Sequence, residues 1–234
     1  MSSIRHQKAC QATVAASPRR NFVARLIAST AGLAGLMAAP RSLFALSESA
    51  GPGDEDWMAA LTGKHRVIFD VAAHLNGKGL AQTRNYLNAW ENDFKVAERE
   101  INVVIGIHGD AIPIVLQDAL WSSLKIGEQY GVRDAATNAP AIRNVFQTAN
   151  LSPGGVVTAE QTVEALQHRG VRFLVCRNTI AGATQKLAAA GLGTADTIRA
   201  AIVGGLLPNV IVVPAMVVAI TQLQEKGLAY TKIG

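Results

Sequence analysis

Ile101-Asn102-Val103-Val104-Ile105-Gly106-Ile107 holds one polar side chain in seven residues. It is too short and too β-branched for a buried helix, and it lacks the alternation of a strand with one wet face. It reads as a parallel strand covered on both sides. On its amino-terminal side Arg66 to Val71, with Val67, Ile68 and Phe69, is another short run that reads as a strand. On its carboxyl side lie three more: Val171 to Cys176, Val210 to Val213 and Leu228 to Ile233. The stretches between these runs carry helical spacing. Leu80, Thr83, Leu87, Trp90 and Phe94 recur at three- and four-residue intervals and predict one apolar stripe. A helix is expected from Pro113. Thr158-Ala159-Glu160-Gln161 fits a capping box opening a helix that runs into Gln167-His168-Arg169-Gly170. Further helices are predicted near Thr179 to Ala190 and over Val217 to Lys226, closed by Gly227. Strands alternating with helices in this way predict an α/β fold, a single domain with a mainly parallel five-stranded sheet and helices on both faces. The looser segment from Gly131 to Gly155 is expected as an exposed excursion or a subunit contact. Val145, Phe146, Leu151, Val156 and Val157 supply its apolar surface.

The first 47 residues read as an address. Ser17-Pro18-Arg19-Arg20-Asn21-Phe22-Val23 sets the paired Arg19 and Arg20 ahead of an uncharged stretch from Leu26 to Pro40. This is the layout of a twin-arginine export signal, with cleavage expected after Ser47 and a periplasmic destination. The stretch is about 14 residues long, short of the roughly 20 that a spanning helix needs, so no membrane span is expected in the mature form. Residues 48–64 are small, acidic and turn-rich at their start and read as a flexible tether. The α/β domain then occupies 65–234.

Removing the signal changes the electrostatics. The chain has 22 basic and 17 acidic residues, a net charge of +5. Six of the basic ones, Arg5, Lys8, Arg19, Arg20, Arg25 and Arg41, lie in the signal, which has no acidic residue; 16 then face 17, a net charge of −1. The basicity belongs to the signal, and no nucleic-acid partner is inferred. Cys10 leaves as well, so Cys176 is the one thiol of the mature chain and no intrachain disulfide can form.

In a parallel α/β sheet, ligands collect beyond the carboxyl ends of the strands. His74, His108 and Cys176 fall there. Cys176 ends the third strand and faces the start of the helix near Thr179, whose unpaired amide hydrogens, with those of Asn178, can stabilise a thiolate or a persulfide anion. Arg177 could add positive charge. The other reading is that Cys176 packs as a small buried hydrophobe, and both stay open. His108-Gly109-Asp110 sets a histidine before a glycine that lets the chain turn sharply toward a ligand. His108 could exchange a proton with Cys176, or hold an anion, or simply bond a carbonyl. His74, His108 and Cys176 could supply three metal ligands, yet the paired spacings of common zinc sites are absent and no metal is expected. Gly77-Lys78-Gly79 has Gln82 where the dinucleotide fingerprint needs a third glycine, and Gly191-Leu192-Gly193 follows a helix; no cofactor is expected. No Gly-x-Ser-x-Gly elbow or His-Glu-x-x-His motif occurs.

Four segments in order resemble the DsrE/DsrF-like family. They are His65 to Asp70, Val103 to Ile112, Gly170 to Asn178, and Leu223-Gln224-Glu225-Lys226-Gly227-Leu228-Ala229-Tyr230. The resemblance implies the YchN-like α/β fold and assembly into a homo-oligomer, a trimer or hexamer. It also implies that a cysteine after the third strand, here Cys176, accepts sulfur as a persulfide from a donor protein and passes it to an acceptor. Two functions follow as expectations. One is an exported sulfur carrier or sulfurtransferase using Cys176 with His108, and with Gly109, Asn178 and Thr179 holding the ligand. The other is a non-catalytic oligomeric module that binds a small ligand or a protein at the same sheet edge.

Overall fold

The structure is a computed structural model and describes residues 56–149 and 156–234. The expected export signal with Arg19 and Arg20, the first part of the expected tether, and Leu151 lie outside the described residues.

Five strands form one sheet: β1 (His65–Ala73), β2 (Ile101–Asp110), β3 (Arg172–Cys176), β4 (Val210–Val213) and β5 (Ala229–Ile233). Their order is β4-β3-β2-β1-β5 and every pairing is parallel. Because side chains alternate across a strand, each run of apolar residues serves two cores. Val67, Phe69, Val71, Val103, Ile105, Ile107, Phe173 and Val175 point into the larger core. Ile68, Val104, Leu174 and Cys176 point into the smaller one. Hence β2 reads as continuously apolar. Each such side chain contributes about 1.5–3 kcal/mol on burial, so a one-residue slip in register is strongly disfavoured.

Helices cover both faces. On the larger core lie α2 (Lys78–Asn88), α3 (Asp118–Ser123), α4 (Ile126–Tyr130), α5 (Val163–His168), α6 (Arg177–Ala189) and α7 (Ala195–Gly204), each lending residues to it. The opposite face carries α8 (Met216–Glu225), whose Met216, Ala219 and Leu223 are buried, together with α1 (Asp56–Ala59). Gly106 explains how closely α8 approaches: a Cβ there would stand 2.6 Å from the Met216 sulfur.

Several expectations are corrected. The last part of the tether belongs to the fold, since Trp57 and Leu61 are buried in the smaller core. The apolar residues of the irregular middle are no exposed surface: Val145, Phe146 and Val157 are buried in the larger core and Val156 packs against it. Asn144 makes this possible. Its side chain donates to the Leu116 carbonyl at 2.6 Å and accepts from the Phe146 amide at 2.8 Å, satisfying backbone groups that a buried loop would otherwise leave unpaired. The stripe on α2 holds for Leu80, Thr83 and Leu87, but Phe94 is 67% exposed. The helix gives way at Ala89–Asp93 to a π turn, whose wider winding rotates the later residues off the core-facing side. The Thr158 capping box is present, yet it opens only a 3-10 turn, Ala159–Gln161; α5 starts afresh with Thr162 accepting from the Ala165 amide. Helix α7 has no counterpart in the sequence reading.

Candidate functional site

Cys176 is the last residue of β3 and the N-cap of α6. Its backbone is extended (φ −96°, ψ 152°), which aims the side chain across the first turn of the helix, as a capping serine would do. The Thr179 amide donates to Sγ at 3.4 Å, and the Thr179 hydroxyl lies 3.1 Å from it. Thr179 is in turn held from β2, where the Gly109 amide donates to its Oγ1 at 3.2 Å. Gly109 sits at φ +55°, a left-handed turn that glycine adopts without penalty. The glycine after His108 therefore ties the end of β2 to the start of α6.

The thiol is 3% exposed. It nevertheless borders a cleft of about 460 Å³ at the carboxyl edge of the sheet, with His108, Gly109, Asn178 and Thr179 also on the wall. All the residues expected at the site except His74 and Arg177 thus meet at one cavity. The Nε2 of His74 donates to the Tyr130 carbonyl at 3.0 Å while its Nδ1 accepts from the Asn76 amide at 3.2 Å, so both ring nitrogens are engaged in a turn. No cluster of three or more potential metal-ligating His, Cys, Asp or Glu side chains occurs among the described residues.

Among the described residues, the His108 ring bonds neither a carbonyl nor the thiol. Its Nε2 lies 2.6 Å from Oδ1 of Asp70, and the other carboxylate oxygen accepts from the Tyr230 hydroxyl at 2.8 Å. That bond into Asp70 holds the Tyr230 phenol above its ordinary value. Neither Asp70 nor Tyr230 was singled out from the sequence. The available signal was Asp70 itself, a lone carboxylate set between the apolar runs Val67-Ile68-Phe69 and Val71-Ala72-Ala73. At the other end of the cleft, Lys186 lies 3.9 Å from the centre of the Tyr130 ring and 3.4 Å from the Asp110 carboxylate. Burial first, and the Asp110 charge second, push the Tyr130 phenol up to about 12, so it stays neutral through the ordinary pH range.

Chemically, the arrangement presents a thiol sulfur facing the Thr179 amide, a histidine on the same cleft wall with a carboxylate behind it, and the cationic Lys186 nearly three turns along α6. No family profile matches the chain, and no curated protein does. Among solved structures, a protein of unknown function from Methanobacterium thermoautotrophicum is similar at 19% identity and a TM-score of 0.39, over 72% of this chain and 99% of that one.

Proposed function

We propose that this protein is an exported DsrE-like sulfur carrier that accepts a sulfane sulfur on Cys176 and hands it on. One observation carries the reading: the sole thiol among the described residues caps a helix with the Thr179 amide aimed at its sulfur, and it borders an open cleft. In the step this supports, the Cys176 thiolate attacks the outer sulfur of a donor. The donor's sulfur–sulfur bond breaks, and its remainder leaves with the electron pair as a thiolate, or as sulfite when the donor is thiosulfate. The product is a Cys176 persulfide, whose negative charge the same amide can accept. Transfer to an acceptor thiol reverses the roles without a net oxidant. The carrier is proposed to work in the periplasm as a homo-oligomer, a trimer or hexamer, with donor and acceptor proteins docking at the cleft. No described helix is long and apolar enough to cross a membrane.

The near-complete burial of the sulfur favours a second reading, a module that binds a small ligand without using the thiol. Mass spectrometry after incubation with thiosulfate separates the two. The carrier reading expects one added sulfur atom on Cys176, removable by a reductant and lost in Cys176→Ser. Serine is itself a good N-cap, so that variant keeps its fold. An unmodified thiol supports the binding module.

A further inference from the structure

Cys176 and His108 stand side by side through strand register. Gly106 pairs with Leu174 and Ile107 with Val175, so one step further along the same parallel ladder sets His108 beside Cys176. Both border the cleft. On the far side of His108, Asp70 pairs with Gly106, two positions before it, and the Asp70 and His108 side chains meet on the diagonal at 2.6 Å. Next along, Tyr230 reaches Asp70 from β5 by the same kind of diagonal, since Asp70 is paired with Lys232. A hydrogen-bonded line therefore crosses the sheet from β5 through β1 to β2 and stops next to the thiol on β3.

We propose that Asp70 is the positioning residue of this site, locked by Tyr230, and that it holds His108 as the base for Cys176. Both oxygens of Asp70 are acceptors here: Tyr230 donates to Oδ2, and the proton on the short bond to Oδ1 sits on Nε2 of His108. Nδ1 of the neutral ring is left as a lone pair, and it makes no hydrogen bond to a described residue. The Cys176 proton moves to Nδ1. Asp70 then faces the imidazolium so formed, as the carboxylate of a nucleophile–histidine–acid triad does. When sulfur is transferred, the departing group takes that proton back. Asp70 is 8% exposed and spends both oxygens inside this line; among the described residues its ion pair is with His108, while Lys232, its register partner on β5, makes none with it.

This role rests on Cys176 being the nucleophile, and the test needs no sulfur donor. Histidine-specific nitrogen NMR on the full chain, assigned by the loss of one ring in His108→Gln, reads the tautomer at mildly alkaline pH. The proposal expects the proton on Nε2 and a bare Nδ1; a proton on Nδ1 overturns it. The second arm is the rate at which iodoacetamide alkylates Cys176. Asp70→Asn keeps the shape and removes the charge, and it should slow alkylation by roughly 10²-fold, the scale of a lost proton-transfer assistant. A rate within about twofold of wild type overturns the proposal. Should Asp70→Asn fail to fold, Tyr230→Phe, which removes one hydroxyl from a 41% exposed ring, takes its place with a several-fold loss expected and the same criterion. A wild-type protein that alkylates as expected but takes no sulfur from thiosulfate would sink the carrier reading and leave the role of Asp70 standing.

Discussion

At the scale of single residues, the site is held by glycines as much as by its reactive groups. Gly109 has a positive φ, and a Cβ on it would meet the Ala72 carbonyl oxygen at 2.8 Å, a backbone atom that cannot swing away. Its amide holds Thr179, and Thr179 holds the sulfur. Gly109→Ala should therefore cost about 1–3 kcal/mol in urea unfolding through backbone strain. It should also slow Cys176 alkylation by loosening Thr179. Gly182 borders the same cleft from within α6, with a helical backbone and nothing near its absent Cβ. Gly182→Ala should hold or raise stability by up to about 1 kcal/mol, because alanine is the better helix former. Equal losses in the two variants would show that the left-handed turn at Gly109 is not what matters. The histidine–glycine pair was legible in the sequence for this reason: a turn chemistry of that kind is encoded by adjacent residues.

At the scale of elements, legibility depended on whether the winding stayed regular. All five strands were visible as short runs set off by turns and helical spacing; β1, β2 and β3 pack on both faces, whereas β5 is exposed from Ala229 to Lys232. Helix α2 was visible up to Leu87, after which a fixed period no longer describes the chain. The π turn at Ala89–Asp93 has no signature in apolar spacing, so Phe94 was assigned to the core and lies in solvent. Leu87→Ala should cost about 2–5 kcal/mol, the range for emptying a buried site. Phe94→Ala should stay within about 0.5 kcal/mol, allowing for its one aromatic neighbour, Trp90, at 5.0 Å. Comparable losses at both positions in chemical denaturation would mean that α2 winds on without interruption. The irregular middle was misread for a related cause. Val145, Phe146 and Val157 show no periodicity, and only the backbone bonds of the buried Asn144 reveal that a loop can lie in the core.

At the scale of the whole molecule, strand order is what the sequence could not disclose. The pairing of β1 with β5 joins Val67 to Ala229 and brings Tyr230 to Asp70. No local pattern announces a contact over that separation, so the polar line behind His108 stayed hidden while Cys176 and His108, each at a strand end, did not. The same topology bears on export. An interior strand whose neighbour lies 160 residues further along cannot complete its pairing until that segment has been synthesised, and such non-local pairing is slow to form. An unfinished sheet would leave β1 open at one side, an exposed edge prone to mispairing. Carriage of the chain after folding avoids that state, which is the mode of transport the Arg19-Arg20 pair specifies in the export reading. Replacing both by lysine (Arg19→Lys with Arg20→Lys) retains the charge and removes the recognised pair. Cell fractionation should then show the protein held in the cytoplasm, folded and with Cys176 as slow or as quick to alkylate as in the wild type. Undiminished periplasmic accumulation of the double variant would mean that the pair is not the address, and the case for transport in the folded state would fall with it.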